Sequence, residues 1–111
     1  MLESHDLDRD IAWYTERLGF TRIRREESFA ILSKGEYIIH LEMVPADYAE
    51  ELVGGSTAKF FVDDIDPIFN EFLKSGIIKP NQLDTDLSQG TKEIELLDLN
   101  GNTLIFIQGE K

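Results

Sequence analysis

Apolar positions recur with two different periods along the chain, and the longer period marks the first helix. Ile11, Tyr14 and Leu18 stand at helical spacing, on one face of a helix that leads to Gly19. Asp8 is the predicted N-cap because its carboxylate would accept a free backbone N–H, and Gly19 is the predicted C-terminal stop. The pattern therefore predicts one amphipathic helix near the start of the chain.

A second helix is predicted from the same kind of signal. Asp66 is its predicted N-cap, Pro67 suits the first helical position, and Gly76 is the predicted stop. The apolar positions between them lie on one face and are Phe69, Phe72 and Leu73.

Shorter segments alternate with period two or carry β-branched and aromatic residues, which is typical of strands. They are residues 21–25, 28–33, 36–43, 57–63, 92–97 and 103–108. Residues 46–55 are predicted to be a connector, and residues 77–86 receive no assignment because Pro80 and Asn81 interrupt them. Asn100, Gly101 and Asn102 predict a tight turn, since Gly and Asn tolerate positive φ.

The two halves of the chain repeat each other. The run Asp6-Leu7-Asp8 before the first helix matches Asp64-Ile65-Asp66 before the second, and each helix is followed by strands that include a Gly turn. The order of strand, helix and three strands is thus predicted twice, and two such halves must pack together to bury their sheets. The expected division is module one at 1–45, a linker at 46–56 and module two at 57–111.

Composition narrows the range of partners. The 111 residues suit one domain, and 22 acidic against 11 basic residues give a net charge of -11. This charge disfavours nucleic acid and anionic membranes and would attract a cationic ligand, although acidic surfaces also serve solubility alone. There is no cysteine and no long apolar run. We therefore expect a soluble cytoplasmic protein without disulfides.

Four segments in this order resemble the vicinal oxygen chelate superfamily, which includes glyoxalase I, fosfomycin-resistance enzymes, extradiol dioxygenases and bleomycin-resistance proteins. They are DLDRDIAWYTERLGF, EYIIHLEMVP, FFVDDIDPIFNEFLKSGI and KEIELLDLNGNTLIFIQ. The resemblance implies an α+β fold of two paired βαβββ modules whose mixed, curved sheets form a cup-shaped cleft. It also implies a homodimer, with small molecules bound in the cup.

The resemblance also implies where a metal would bind in the metal-dependent members. The first ligand position falls before Met1, and the other three match His40, Thr57 and Ile105. Only His40 is a metal ligand by type, whereas a divalent site of this class needs about three protein ligands. We therefore expect no metal, no other cofactor and no catalytic residue.

The residues expected to contact a ligand follow from these positions and from strand alternation. They are His40, Glu42, Thr57, Lys59, Phe61, Ile105 and Glu93. Each has a structural alternative: His40 would bond to a neighbouring strand, the charged residues would form solvated strand faces, and Phe61 would belong to the core. His5, near the start of the chain, is expected to be exposed.

The leading hypothesis is a metal-independent binding protein of the bleomycin-resistance type, which sequesters a compact, cationic and partly aromatic ligand in a dimeric cleft. One alternative is a metal-dependent lyase, dioxygenase or transferase of the same superfamily that uses His40 and Glu42 with ligands from elsewhere. A further alternative is a module that acts only as an accessory subunit. Fold alone does not choose among them.

Overall fold

The computed structural model describes residues 2–44, 56–86 and 90–109, so the predicted connector lies almost wholly outside the described residues. In these ranges the elements are β1 Leu2–Ser4, α1 Leu7–Leu18, β2 Thr21–Arg25, β3 Phe29–Lys34, β4 Tyr37–Met43, β5 Thr57–Val62, α2 Asp66–Ser75, β6 Leu83–Asp86, β7 Thr91–Leu97 and β8 Thr103–Gln108. A short 3-10 helix at Pro80–Gln82 precedes β6 in the segment that the sequence left unassigned. Neither α1 nor α2 has the length and apolar character to cross a membrane.

The strands form two four-stranded mixed sheets with the same topology. The strand orders are β1-β4-β3-β2 and β5-β8-β7-β6. β1 is parallel to β4 and β5 is parallel to β8, while the remaining pairs are antiparallel. The predicted α+β fold of two paired βαβββ modules is confirmed. We call residues 2–43 the first module and residues 57–108 the second module.

The start of α1 differs from the prediction. Asp6 is the N-cap: its backbone is extended (φ -151, ψ 97) and its side chain accepts the Arg9 N–H at 3.1 Å. Asp8 lies two residues further on, within the first turn of the helix. The prediction that Asp8 caps the helix is therefore wrong, and its negative charge suits the positive end of the helix dipole instead. The predicted end at Gly19 is confirmed, with a left-handed φ of 77.

The start of α2 also lies one residue earlier than predicted. The buried Ile65 is the N-cap and already has a helical conformation (φ -81, ψ -17), so Asp66 is the first helical residue. The side chain of Asp64 accepts the Asp66 N–H at 3.0 Å. The prediction that Asp66 caps α2 is therefore wrong, whereas the stop at Gly76, where φ is 76, is confirmed.

The helices cover one face of each sheet, and strand alternation decides which side chains lie beneath them. Buried side chains of the first sheet are Leu2, Ser4, Ala30, Leu32, Ile39 and Leu41, and those of the second are Phe60, Val62, Ile94, Leu96, Leu104 and Phe106. Phe72 of α2 packs edge-on against Phe106, with ring centroids 5.4 Å apart. The modules share this core, because Phe60 contacts both Phe20 and Tyr37 of the first module.

The turn between β7 and β8 joins the modules through side chains. Asn100 accepts the His5 N–H at 3.2 Å and an Arg9 N–H at 2.9 Å, and its amide donates to the carboxylate of Asp10 at 2.7 Å. Asp10 is 1% exposed and also accepts the Ser4 hydroxyl. These contacts connect the second module to the β1–α1 junction of the first.

Asn102 has a similar role and is fully buried. Its amide donates to the Glu3 carbonyl and to the carboxylate of Asp98, both at 2.9 Å. Gly101, with φ 85, is the residue of this turn with a positive φ. The predicted tight turn is confirmed, but the positive φ expected of its residues occurs at Gly101 and not at the two asparagines, whose side chains bridge the modules instead.

Candidate functional site

The sheet surfaces that turn away from the helices carry the candidate residues. On the first sheet this surface, here called the first face, is set by the registers of β1 with β4, β4 with β3 and β3 with β2. Its members share the side opposite the buried core positions and are Glu3, Arg24, Phe29, Ile31, Ser33, Ile38, His40 and Glu42.

The centre of the first face is aromatic. The rings of Phe29 and His40 lie on neighbouring strands with centroids 5.1 Å apart and planes tilted by 32°. The guanidinium of Arg24 lies over the Phe29 ring at 5.7 Å, within the range of a cation–π contact. Arg24 also donates to the carboxylate of Glu26 at 3.0 Å. A flat ligand could therefore stack on a surface that is already built from two rings.

The carboxylates of the first face lie towards β1. Glu3 of β1 pairs in register with Glu42 of β4, and Glu42 pairs in turn with Phe29 of β3. The three residues thus form one row across three strands. Glu42 is exposed, whereas the Oε2 atom of Glu3 is buried and has no hydrogen-bond partner.

The second sheet presents a corresponding surface, here called the second face. Its register places Ile105 between Lys59 and Glu95, and places Ile107 between Phe61 and Glu93. The face runs from a basic edge through an apolar centre to an acidic edge, where Asp84 pairs with Glu93. Its members are Thr57, Lys59, Phe61, Asp84, Glu93, Glu95, Leu97, Thr103, Ile105 and Ile107.

The two faces divide the residues predicted to line the site. His40 and Glu42 lie on the first face, and the second face carries Thr57, Lys59, Phe61, Ile105 and Glu93. Within the described ranges, no hydrogen bond or aromatic contact joins one group to the other. The carbonyl of Phe61 accepts the Tyr37 hydroxyl at 2.7 Å, and its side chain is half-buried on the second face.

Known proteins are similar to this chain in sequence and in fold over nearly their whole length. No family model matches the chain. The bleomycin resistance proteins of Geobacillus stearothermophilus and Staphylococcus aureus are each 26% identical to it, over 93% of the chain and 89% of the relative. A bleomycin resistance determinant encoded on the transposon Tn5 superposes with a TM-score of 0.80 at 25% identity, covering 99% of this chain and 94% of the other. In sequence and in fold, the chain is thus similar to bleomycin resistance proteins.

A second solved structure has the same fold. It is a bleomycin-binding protein complexed with bleomycin, with a TM-score of 0.77 at 24% identity and coverage of 98% of this chain and 94% of the other. The sequence similarity to bleomycin resistance proteins, together with the shared fold, confirms the predicted resemblance to the bleomycin-resistance type.

The metal-ligand positions that the superfamily implies do not fit a divalent ion in this chain. His40 is half-buried on the first face, while Thr57 and Ile105 lie on the second face and offer a hydroxyl and a hydrocarbon. Across the described residues, no three His, Asp or Glu side chains come together in a way that could hold a metal. Imidazole alone is too few ligands for a site of this class.

Sequence reasoning missed the other charged and aromatic residues of the first face, which are Glu3, Arg24 and Phe29. Arg24 could not be placed because β2 carries a bulge between Arg22 and Arg24, which changes the face that each later side chain occupies. Phe29 precedes the buried Ala30 in β3, so strand alternation places Phe29 on the first face. The sequence showed this alternation, but Phe29 was interpreted only as a strand residue. Glu3 follows the same alternation, between the buried Leu2 and Ser4.

His5 differs from its predicted exposure. Its side chain is half-buried, and its Nε2 atom is buried without a hydrogen-bond partner. The reason is the turn from the second module, since Asn100 accepts the His5 backbone N–H and holds this part of the chain against the β7–β8 turn.

Proposed function

We propose that this chain binds and sequesters a small molecule without converting it, as a binding protein of the bleomycin-resistance type. The ligand is compact, cationic and partly aromatic. Support comes from the similarity to bleomycin resistance proteins along 93% of the chain, together with the net charge of -11. Negative charge raises the encounter rate with a cationic ligand, and apolar surface supplies desolvated contact.

The observation that carries this proposal is Ile105 at the centre of the second face. Metal-dependent members of the superfamily place a ligand at this position, and here the side chain is a hydrocarbon between Lys59 and Glu95. A surface of this kind binds by shape, apolar contact and charge. We assign ligand contact to the residues predicted from the sequence, which are His40, Glu42, Thr57, Lys59, Phe61, Ile105 and Glu93.

We further propose that the cleft is completed by a second copy of the chain. Ile38 on the first face is 67% exposed and Leu97 on the second face is 62% exposed. Large apolar side chains on sheet faces mark surfaces that another molecule covers. A symmetric dimer would cover both faces in each chain and leave the ligand between them. We place this activity in the cytoplasm, with which a chain lacking cysteine is compatible.

Isothermal titration with bleomycin tests the proposal. With protein at roughly 100 times a dissociation constant of about 1 μM, saturable heat is expected. The Ile105→Lys variant puts a cation in the centre of the second face and should weaken binding more than about tenfold, since it repels a cationic ligand. Leu99→Lys makes the same charge change in the β7–β8 turn and should bind as the unmodified chain does. Absence of heat with the unmodified chain would remove the drug-binding proposal.

A further inference from the structure

Asn100 and Gly101 form an Asn-Gly pair in the turn between β7 and β8, and no other asparagine of the sequence precedes a glycine. Asn-Gly pairs lose ammonia more readily than other asparagine sequences, because glycine has no side chain that hinders its backbone nitrogen. Gly101 is exposed, and a Cβ there would meet no atom within 4 Å, so water reaches the pair. The turn therefore combines a reactive sequence with access to water.

Deamidation of this pair needs no reagent other than water. The backbone nitrogen of Gly101 attacks the side-chain carbonyl carbon of Asn100, the C–N bond of the carboxamide breaks, and ammonia leaves with the proton of the attacking nitrogen. The cyclic succinimide then takes up water and opens to aspartate or to isoaspartate. The net reaction converts a carboxamide and water to a carboxylate and an ammonium ion, and nothing is oxidised or reduced.

Both reacting groups are engaged in hydrogen bonds in the folded chain. The Gly101 N–H donates to a backbone carbonyl of the same turn at 3.2 Å, which keeps the proton on the attacking nitrogen. The half-buried carboxamide of Asn100 accepts N–H groups of His5 at 3.2 Å and Arg9 at 2.9 Å, and it donates to Asp10 at 2.7 Å. The nitrogen and the carbonyl carbon must turn towards each other to react, so these bonds have to break first.

We propose that Asn100 is a deamidation site that the packing of the two modules protects, and that its conversion weakens their contact irreversibly. The Asn-Gly pair belongs to the second module, whereas all three partners of the Asn100 carboxamide belong to the first. The reaction rate is therefore set by how often the turn separates from the first module, which is a local opening of the structure. The reaction limits the working life of the folded chain.

Conversion of Asn100 places a new carboxylate beside a buried one. The product has no proton to donate to Asp10, where the carboxamide now donates at 2.7 Å. Asp10 is 1% exposed, so water screens little of the repulsion. Arg9 offsets only part of it, because its exposed guanidinium already pairs with Asp10 at 3.0 Å. Deamidation thus replaces an attraction between the modules with a repulsion.

Incubation of the full chain in buffer and in urea, followed by peptide mapping with mass spectrometry, measures the rate at Asn100. The rate should be at least about tenfold higher in urea, because unfolding frees both reacting groups. Arg9→Ala removes one contact of Asn100 at an exposed position and should raise the rate in buffer at least about threefold. Arg22→Ala makes the same exchange at an exposed position of β2 and should leave the rate unchanged. A rate in buffer equal to or above the rate in urea overturns the proposal.

Asn100→Asp reproduces the aspartate product. Its equilibrium constant for unfolding, from urea titration, should be at least about tenfold larger than that of the wild-type chain. Asn70→Asp adds the same charge at an exposed position of α2 and should stay within about threefold of wild type. Equal effects of the two substitutions contradict the proposed weakening. Should Asn100→Asp fail to fold, the comparison of Arg9→Ala with Arg22→Ala decides, and equal deamidation rates in these two variants overturn the proposal.

Discussion

Asp98 accepts four hydrogen bonds, and this one side chain supports both the β7–β8 turn and the contact between modules. Its Oδ1 atom accepts the backbone N–H groups of Asn100 and Asn102, both at 2.9 Å. Its Oδ2 atom accepts the Asn102 amide at 2.9 Å and the Tyr14 hydroxyl at 2.6 Å. Burial, followed by the charge of Asp98 and this hydrogen bond, raises the pKa of Tyr14 far above its ordinary value.

Tyr14→Phe is expected to lower the free energy of unfolding by about 1.5–3 kcal/mol at neutral pH, because it removes a buried hydrogen bond to a carboxylate. The raised pKa gives the effect a pH dependence. Stabilisation by the neutral phenol is fully present below the unfolded pKa of about 10 and is lost as pH rises above it. The difference between wild type and Tyr14→Phe should therefore shrink by about 1.4 kcal/mol per pH unit above pH 10, as measured by urea unfolding at several pH values.

Tyr37→Phe is the matched control for this prediction. Its hydroxyl donates to a neutral carbonyl, that of Phe61, so its removal should cost only about 0.5–1.5 kcal/mol. Equal losses in the two variants at neutral pH would contradict the role assigned to Asp98.

The β7–β8 turn holds the two modules together through hydrogen bonds of Asn100 to the first module. Asn100→Ala removes three contacts to the first module and should cost about 2–3 kcal/mol, since one of them is to the buried Asp10 carboxylate. Gly101→Ala is the control within the same turn. It should cost about 1–2 kcal/mol through its positive φ alone, because a Cβ there meets no atom within 4 Å.

Hydrogen exchange separates the two effects in this turn. The His5 backbone N–H donates to Asn100, so its exchange should accelerate in Asn100→Ala and stay close to wild type in Gly101→Ala. Protection of the His5 amide that is unchanged in Asn100→Ala would show that the turn does not hold the modules together.

Elements were predictable from the sequence where a local pattern determines them. The predicted strands at 21–25, 28–33, 36–43, 57–63, 92–97 and 103–108 agree with the structure within about one residue at each end, and the two helices within about two. Helix starts were less accurate, because several acidic residues precede each helix and the backbone conformation selects among them. β6 was missed because Leu83–Asp86 has little strand character of its own and is held by pairing with β7.

The candidate site was less predictable than the elements, because it depends on long-range placement. Strand alternation correctly placed His40 with Glu42, and Lys59 and Phe61 with Thr57. Their separation onto two sheets follows from the predicted division into two modules, whereas the packing of the modules against each other is specified by no local pattern. A buried atom without a partner, such as Oε2 of Glu3, is likewise visible only in three dimensions.

At the scale of the whole molecule, the exposed apolar side chains mark the surfaces that a second copy would cover. Ile38 and Leu97 lie on the two sheet faces, whereas Ile23, 60% exposed, lies at the bulge of the edge strand β2. A dimer that covers the faces would bury the first two positions. Ile38, Leu97 and Ile23 are similarly exposed, so exposure does not show whether a second copy covers the sheet faces or the edge of β2. Substitution of one residue from each surface distinguishes the two.

Ile38→Lys should weaken the proposed dimer more than about tenfold, because it would bury an unpaired ammonium in the proposed interface. Sedimentation velocity over a range of protein concentrations measures this. Ile23→Lys makes the same exchange at a similarly exposed apolar residue and should dimerise as the unmodified chain does. Both variants should keep the wild-type free energy of unfolding within about 0.5 kcal/mol, since the substituted side chains are exposed in the single chain. A dimer weakened by Ile23→Lys and not by Ile38→Lys would move the interface from the sheet faces to the edge of β2.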